Sequence, residues 1–250
     1  MTDPLPLSGQ TALVTGAARR VGAQIARSLH AAGANIMIHC HRSLAEAQRL
    51  AAQLEQARAG SAAVSVTDLR DTAALPGLIA GTCDRFGALD LLINNASSFY
   101  PTPIGQITLV QWNDLIGTNL QAPLFLAQAA APELRRRGGL LLNIVDIHGQ
   151  RPLREHAVYS VAKAGLIMLT RALARELAPQ VRVNAIAPGA VLWPEQGLDE
   201  ARRDRIRAQT PLQRPGTPED IARAVLFFAT EAPFVTGQIL AVDGGRSIGW

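Results

Sequence analysis

Short apolar runs alternate with longer segments of helical periodicity along the whole chain. The apolar run Thr11–Val14 leads into a glycine turn, after which apolar positions recur with helical spacing over about Val21–Ala32. The run Ala34–His39 and the amphipathic segment Ser43–Arg58 repeat this order. Further strands are predicted at 62–66, 89–93, 140–145, 182–186 and 237–242, with helices between them. Nearly all-apolar strands of this kind form parallel sheets covered by helices on both faces, so the pattern predicts a single α/β domain over residues 1–250.

Two local patterns add detail to this fold. Ser43-Leu44-Ala45-Glu46 has the spacing of a capping box, which predicts the start of the second helix. The least patterned stretch, residues 189–216, is expected to be a substrate loop and a candidate mobile lid. A doubly wound parallel sheet binds its ligand beyond the carboxyl ends of the strands, beside the point where the strand order reverses. The chemistry is therefore expected at the strand ends.

Composition excludes several classes of protein. With 250 residues, of which 48% are hydrophobic and 18% charged, the chain can bury a large core, and disorder is not expected. No stretch of about 18 uninterrupted apolar residues occurs and the first residues lack the pattern of a secretory signal, so neither a membrane span nor export is expected. Cys40 and Cys83 are the only cysteines, and neither has metal-ligand spacing around it. We expect reduced thiols, a cytoplasmic protein and no bound metal.

The basic residues are scattered, except for the run Arg135-Arg136-Arg137. The formal charge is +4, and a basic chain can bind nucleic acid, a membrane surface or small anions. The triple arginine lies at the predicted end of a helix, where cations complement the macrodipole, so a solvated helix end is favoured over a nucleic-acid patch. Of the 24 lysines and arginines, only Lys163 is a lysine. Position 163 is therefore expected to require an ammonium group. The alternative is that a single lysine remains in the chain by chance.

A glycine turn lies at the first junction between strand and helix. In T-G-A-A-R-R-V-G, Gly16 and Gly22 allow the backbone to approach a pyrophosphate at the start of the helix. Arg19 and Arg20 place cations at the positive end of that helix, which is unfavourable unless an anion binds there. A purely structural arginine pair is the alternative. We predict a Rossmann-like dinucleotide site, with the cofactor contacted by Gly16, Arg19, Arg20 and Val21.

The end of the second strand decides which dinucleotide is expected. The sequence there is H-C-H-R-S, without the acid that usually accepts the ribose hydroxyls of NAD. Arg42 offers a guanidinium to a 2′-phosphate, and the Ser43 hydroxyl can serve that phosphate as well as the helix start. An exposed surface arginine is the alternative for Arg42. We predict NADPH as the cofactor, held at this end by His41, Arg42 and Ser43.

Two later strand ends complete the predicted cofactor cleft. After the third strand, Asp68 and Leu69 are placed to meet the adenine edge, whereas Asp71 has the pattern of an ordinary helix cap. The residues after the fourth strand are small and allow the sugar of the cofactor to pack closely against the backbone: Asn95, Ala96 and Ser97.

Tyr159 and Lys163 are the strongest candidates for chemistry. Their i, i+4 spacing places the phenol and the ammonium on one face of a helix. A nearby cation lowers the pKa of a phenol, which makes the tyrosine a better proton donor near neutral pH. Asn119 lies inside an otherwise apolar helix pattern, where asparagine is a poor helix former, so a buried polar network is expected around it.

Motifs spread from about Gln10 to Gly245 resemble those of the short-chain dehydrogenase/reductase family. They are T-G-x-x-x-R-x-G, N-N-A-S, the helical Asn119, Y-x-x-x-K, N-A-I-A-P-G at 184–189 and V-D-G-G at 242–245. Within that family the chain is similar to the pteridine reductases. The shared features are the arginine at Arg20, H-R-S at 41–43, N-A-S-S-F-Y-P-T-P at 95–103, and Asp146 where most relatives have a serine.

The resemblance implies a role for each residue of the catalytic set. Tyr159 would donate a proton, assisted by a partly protonated Asp146 that donates a hydrogen bond to it. Lys163 would hold the nicotinamide ribose and tune Tyr159, and Asn119 would anchor a water relay to Lys163. The nicotinamide carboxamide would be lined by Pro188 and Gly189.

The resemblance also implies a substrate, which is a pterin or dihydropterin. Dihydropterin, dihydrofolate and fully oxidised pterin are all open as the compound reduced. The expected contacts with it are Arg20, Ser97, Phe99, Asp146 and Tyr159. A homotetramer is the habit of the family, and a small-molecule substrate without nucleic acid or membrane is the expected partner. Two departures are Val191, where the family tends to have a serine, and a C-terminal tail ending in Trp250, which could shape substrate choice.

Two other functions compete with pterin reduction. The first is an NADPH-dependent carbonyl reductase that acts on another ketone or on an enoyl-type substrate with the same residues. The second is a non-catalytic NADP(H)-sensing protein, which would be expected to carry a broken Tyr/Lys pair. The pair Tyr159 and Lys163 is intact.

Overall fold

A seven-stranded parallel sheet runs through the part of the chain that the structure describes, residues 4–192 and 199–248 of a computed structural model. The strand order is β3-β2-β1-β4-β5-β6-β7, and it reverses beside β1. The strands are β1 Thr11–Val14, β2 Asn35–Cys40, β3 Ala62–Val66, β4 Leu91–Asn94, β5 Leu140–Ile144, β6 Arg182–Pro188 and β7 Ile239–Val242. This Rossmann-like doubly wound sheet in one domain confirms the predicted fold class.

Helices connect the strands and cover both faces of the sheet. They are α1 Arg20–Ala31, α2 Leu44–Ala57, α3 Leu75–Phe86, α4 Leu109–Ile116, α5 Ala122–Arg137, α6 Ala157–Leu177, α7 Glu200–Ala208 and α8 Pro218–Thr230. A π-helical turn, Gly117–Gln121, joins α4 to α5, and a single 3-10 turn, Ile147–Gly149, follows β5.

Alternate side chains of β1 belong to two separate hydrophobic cores. Ala12 and Val14 pack with residues of α1, α2 and α8 on one face of the sheet. Leu13 packs with residues of α3, α5 and α6 on the other face. Because successive side chains of a strand point to opposite faces, a strand buried on both sides must be apolar throughout. This is why the strands could be located from short apolar runs.

The predicted element ends agree with the structure to within one or two residues, but the capping expectations were partly wrong. Ser43 does precede α2, yet its side chain makes no capping hydrogen bond within the described residues. Glu46, the other residue of the predicted capping box, has its Oε1 3.9 Å from Arg19 Nη1. Asp71 accepts a hydrogen bond from the Ala73 backbone in the turn before α3, which has Ala74 at its N-cap position.

The stretch 189–216 is more regular than expected, because α7 forms within it. Its residues 193–198 and the tail residue Trp250 lie outside the described residues. Val191 is buried and packs in the core beside β6. The triple arginine forms the last turn of α5, as predicted.

Among the described residues, α6 has the length and apolar composition that a membrane span would need. Half of its most apolar window is buried inside the domain, and core helices of folded proteins pass the same test. Tyr159 and Lys163 are among the buried residues of α6, which is a core helix of the domain.

Candidate active site

A cleft of about 700 Å³ opens at the carboxyl ends of the strands, on both sides of β1. The loops that follow β1 to β6 all contribute to its walls. It therefore lies at the point where the strand order reverses, which is where a doubly wound sheet binds its ligand. All the residues predicted to contact the cofactor line this cleft: Gly16, Arg19, Arg20, Val21, His41, Arg42, Ser43, Asp68, Leu69, Asn95, Ala96, Ser97, Tyr159, Lys163, Pro188 and Gly189.

The glycine turn is held against the loop after β4. Thr15 Oγ1 accepts hydrogen bonds from the backbone N–H groups of Asn95 and Ala96, at 2.9 and 3.0 Å. Asn95 Nδ2 in turn donates to Thr15 O at 2.8 Å. Gly16 has φ +61°, and a Cβ there would lie 2.9 Å from Ala96 Cα. A Cβ at Gly22 would lie 2.4 Å from Gly16 O, so both positions require glycine for close packing.

His39 supports the same turn from β2, a role that the sequence pattern did not indicate. The Gly16 N–H donates to His39 Nδ1 at 3.2 Å, and His39 Nε2 donates to Thr67 O at 3.0 Å. Burial lowers the pKa of His39, which keeps the imidazole neutral and its Nδ1 able to accept. The histidine is therefore a structural support of the glycine turn.

The start of α1 fits an anionic pyrophosphate. Its N-cap residue Arg19 makes no side-chain capping bond, and no acidic residue lies in its first turn. The first N–H groups of the helix are thus left to a ligand, and the exposed Arg19 and Arg20 add positive charge beside them. Arg20 has φ +54°, a left-handed conformation that favours glycine. The chain thus accepts backbone strain to present a cation here.

The end of the cleft where the sequence predicts the adenine contains an ion-pair network that the sequence did not indicate. Arg70 Nη2 donates to Asp68 Oδ2 at 2.7 Å, and Arg70 Nη1 donates to Asp114 Oδ1 at 3.3 Å. The pKa of Asp68 is lowered to about 2, mainly by the hydrogen bond that the Arg70 side chain donates to it. His41 Nε2 lies 3.9 Å from the same carboxylate, and the exposed Arg42 lines the cleft beside it.

Three residues of the predicted catalytic set lie together under the other end of the cleft. Tyr159 Oη donates to Asp146 Oδ2 at 2.7 Å, and the His148 backbone N–H donates to Asp146 Oδ1 at 2.8 Å. Lys163 Nζ donates to Ile144 O at 2.9 Å and lies 5.7 Å from the centre of the Tyr159 ring. Both Tyr159 and Lys163 are buried, yet both line the cleft, and Ser97 is a further hydrogen-bond partner of the Tyr159 phenol.

Two electrostatic expectations for this set were wrong. Burial, followed by the Asp146 carboxylate, raises the pKa of Tyr159 well above its ordinary value, whereas the sequence predicted a lowered pKa. The carboxylate is in direct contact with the phenol and the ammonium is not, so the carboxylate dominates. Asp146 accepts from Tyr159 instead of donating to it. Burial lowers the pKa of Lys163 to about 8, with Asp146 opposing that shift.

Asn119 is buried in the π-helical turn and forms the expected polar network. Its Oδ1 accepts from Ser97 Oγ at 2.6 Å, and its Nδ2 donates to Ser98 O and Leu115 O at 3.0 and 2.9 Å. The side chain thus anchors the loop after β4 to the helix layer. π-helical turns are frequent at functional sites, because they redirect backbone and side chains locally.

Phe99 is not one of the residues that line the cleft, but its ring contacts that of Tyr159, which does line it. Its ring centre lies 4.8 Å from that of Tyr159 at an interplanar angle of 77°. On another side it is stacked on His156, at 4.7 Å and 18°. Phe99 is half exposed, whereas His156 is buried. His156 is a further residue that the sequence did not indicate.

Comparisons with known proteins place the chain in a family. A family model described as enoyl-(acyl carrier protein) reductase matches residues 16–247. Pteridine reductase 1 of Leishmania tarentolae is 35% identical over 277 residues, covering 95% of this chain and 96% of the relative. The chain belongs to the short-chain dehydrogenase/reductase family. Its members use a nicotinamide cofactor, which fits the glycine turn and the uncapped start of α1.

Other members of the short-chain dehydrogenase/reductase family are as similar to the chain. A putative ketoacyl reductase of the granaticin polyketide synthase of Streptomyces violaceoruber is 36% identical over 244 residues, covering 95% of the chain and 96% of the relative. A 3-oxoacyl-(acyl-carrier-protein) reductase of Staphylococcus aureus is 33% identical over 240 residues, covering 94% and 97%. The protein is therefore an oxidoreductase of this family, and its substrate has to be argued from the site.

Proposed function

We propose that this short-chain reductase uses NADPH to reduce a pterin or dihydropterin, with dihydrofolate as a further substrate. The observation that carries the proposal is the contact of Tyr159 with both Asp146 and Phe99. A proton donor and an aromatic ring then lie side by side at the end of the cleft. A flat heterocycle with a reducible C=N bond matches both.

The cofactor proposal rests on the charges at the adenine end. Arg42 and His41 line the cleft after β2, where an NAD enzyme would usually have an acid. Asp68 lies after β3, but Arg70 already binds its carboxylate in two hydrogen bonds. A 2′-phosphate therefore meets a cationic rim there, which favours NADPH over NADH.

The chain's own residues would supply the proton. A nicotinamide held in the cleft would supply a hydride to the carbon of the C=N bond. The electron pair left on the nitrogen then takes the proton of Tyr159 Oη. The phenolate so formed would lie 2.7 Å from Asp146, and two adjacent anions are unfavourable. A proton taken up by Asp146 from the cleft would restore Tyr159, and the Lys163 ammonium would offset the negative charge meanwhile.

The substrate would be held by residues on two loops. Phe99 offers an exposed ring face next to Tyr159, and stacked aromatic rings attract each other beyond their buried area. Arg20 lies at the start of α1 and would reach the pterin's oxygen and ring nitrogen. The Ser97 hydroxyl donates to Asn119 and lines the cleft, so its oxygen would accept a hydrogen bond from a donor on the substrate.

A reductase assay tests this proposal. Purified protein with NADPH would be given dihydrobiopterin, dihydrofolate or a simple ketone. We expect turnover of dihydrobiopterin at the highest kcat/KM of the three. Turnover of the ketone alone would contradict the proposal.

The second candidate is a ketone or ketoacyl reductase. It is favoured by the two ketoacyl reductases, which match the chain at 36% and 33% identity, close to the 35% of the pteridine reductase. Tyr159 and Lys163 would serve a carbonyl oxygen as readily as a ring nitrogen. A non-catalytic NADP(H) sensor is less consistent with this intact pair, and any turnover in the assay would exclude it.

We further propose that the protein is a cytoplasmic homotetramer. Its binding partner would be a small-molecule substrate, and it would bind neither nucleic acid nor a membrane. Large apolar side chains are exposed on α4 and α5, which supports burial against further copies of the chain: Leu109, Val110, Trp112 and Leu124. Light scattering on the purified protein would report the oligomeric state directly.

A further inference from the structure

We infer that His156 is a positioning residue that determines the plane of the Phe99 ring, and so the orientation of a flat substrate beside Tyr159. The two rings are stacked with centres 4.7 Å apart and planes within 18°. Phe99 is 50% exposed and His156 only 6%. The buried ring is therefore the fixed member of the pair, and the exposed ring is the one that is oriented. The substrate part of this inference rests on the proposed function.

The backbone joins the two loops that carry these rings. Thr102, three residues after Phe99, forms an isolated parallel bridge with His156. The Thr102 N–H donates to Glu155 O at 2.5 Å, and its hydroxyl accepts from the Val158 N–H at 3.4 Å. Thr102 is fully buried. The stack is thus built on a hydrogen-bonded junction between two distant segments of the chain.

The imidazole itself is held from below. His156 Nδ1 donates to the carbonyl of Arg154 at 2.8 Å, which fixes the ring about its Cβ–Cγ bond. The residue between them, Glu155, has φ +63°, a left-handed conformation that is strained for any residue except glycine. The strained turn, the bridge to Thr102 and the hydrogen bond together place the ring face under Phe99.

This arrangement leaves one face of the Phe99 ring on which a substrate can stack. His156 covers a face of the ring, and Tyr159 meets it at 77°. A flat substrate stacked on the remaining exposed face would be parallel to His156 and close to the Tyr159 phenol. Without the stack, the Phe99 side chain would sample several rotamers, and a flat substrate would lose its alignment with the proton donor.

Two variants separate the flat face of His156 from its bulk. His156→Leu replaces the imidazole with an apolar side chain of similar volume that has no flat face, whereas His156→Phe keeps a stacking ring. His30→Ala serves as the control for loss of a buried histidine elsewhere, since His30 bonds Ser61 at the far end of α1. Thermal melting would check that each variant is folded.

The first readout does not depend on turnover. In protein labelled with ring-¹³C phenylalanine, the Phe99 signal can be assigned through Phe99→Leu. Ring-current shifts from His156 should move that signal in His156→Leu and not in His30→Ala, and His156→Phe should keep a stacked-ring shift. An unchanged Phe99 signal in His156→Leu would overturn the inference.

The second readout is the division of the effect between KM and kcat. In His156→Leu we expect KM for dihydrobiopterin to rise about three- to tenfold and kcat to fall, because a misoriented substrate stacks less well and is misaligned with the proton donor, while NADPH affinity changes less than twofold. His156→Phe keeps a stacking ring but not the hydrogen bond to Arg154, so it should recover most of the KM, and a KM no better than that of His156→Leu would overturn the inference. If the Phe99 signal depends on His156 but the parent reduces only the ketone, the proposed function fails and the positioning role stands.

Discussion

The Tyr159 phenol donates a 2.7 Å hydrogen bond to the carboxylate of Asp146, 13 residues earlier in the chain. Because the carboxylate accepts, the phenol is held in its protonated form and its oxygen faces the cleft. The same carboxylate accepts the N–H of His148, which fixes it at the end of β5. Asp146 thereby favours the protonated form of the Tyr159 phenol, which is the proposed proton donor.

Removal of the phenol should abolish turnover without affecting cofactor binding. Tyr159→Phe removes the proposed general acid, so we expect kcat to fall by roughly 10²–10⁴-fold. The NADPH dissociation constant should change little, as measured by fluorescence titration. Tyr100→Phe, at the chain's other tyrosine, is the control and should retain turnover. Normal turnover by Tyr159→Phe would remove the proposed mechanism.

The effect of Asp146 on Tyr159 can be measured directly because the chain has only two tyrosines. In a Tyr100→Phe background, the ultraviolet absorbance of phenolate reports Tyr159 alone. Asp146→Asn removes the negative charge that helps to raise the pKa of Tyr159, so more phenolate should form at about pH 10 than with Asp146 present. An equal or smaller phenolate fraction would show that the carboxylate does not control the phenol.

The buried Lys163 should lower the free energy of unfolding of the protein near neutral pH. Burial lowers its pKa to about 8, below the value of the unfolded chain, so the folded state binds fewer protons between about pH 8 and 10.5. The parent should therefore gain stability as pH rises through that window. Lys163→Met should be more stable than the parent by about 1–3 kcal/mol at pH 7, and this advantage should vanish toward the top of the window. Urea unfolding at several pH values measures it.

Function should respond to Lys163 in the opposite direction. Lys163→Met should lose turnover because it removes the ammonium that is proposed to hold the nicotinamide ribose. Lys163→Arg should lose it too, since a planar guanidinium cannot replace a compact ammonium in a fully buried position. Normal turnover by the arginine variant would show that position 163 requires only a positive charge.

Cofactor choice is tested at Arg42. We expect the parent to prefer NADPH over NADH. Arg42→Asp should weaken NADPH binding more than NADH binding, by about 1.5–3 kcal/mol for the loss of a charge-assisted hydrogen bond. Arg49→Asp makes the same charge change at an exposed position of α2 and should leave the ratio unchanged. Equal affinities of the parent for both cofactors would contradict the assignment.

The fold was predictable because its signal is local. Strands such as β1 and β5 are buried on both faces and therefore apolar throughout. The residues that line the cleft were also predictable, since most of them lie in the loops that follow the strands. The Ser43 cap was not, because the spacing of a capping box does not determine whether the serine side chain turns toward the helix.

The residues that sequence reasoning missed act through contacts between distant segments. Arg70 binds Asp114, which is 44 residues away, and His156 meets Phe99 through a junction at Thr102. The pKa of Tyr159 was predicted in the wrong direction for the same reason. The i, i+4 spacing placed Lys163 near the phenol, but only the folded structure shows that Asp146 is in direct contact with it.

The most direct test of pterin reduction is the KM for dihydrobiopterin in the parent and in Phe99→Ala, with NADPH as cofactor. Phe99→Ala removes the ring face beside Tyr159, so KM should rise at least several-fold, because a stacked aromatic pair contributes about 0.5–1.5 kcal/mol beyond area burial. The NADPH dissociation constant and the KM for a small aliphatic ketone should barely change. A parent that ignores pterins, or a Phe99→Ala variant that reduces dihydrobiopterin as well as the parent, would contradict the proposed function.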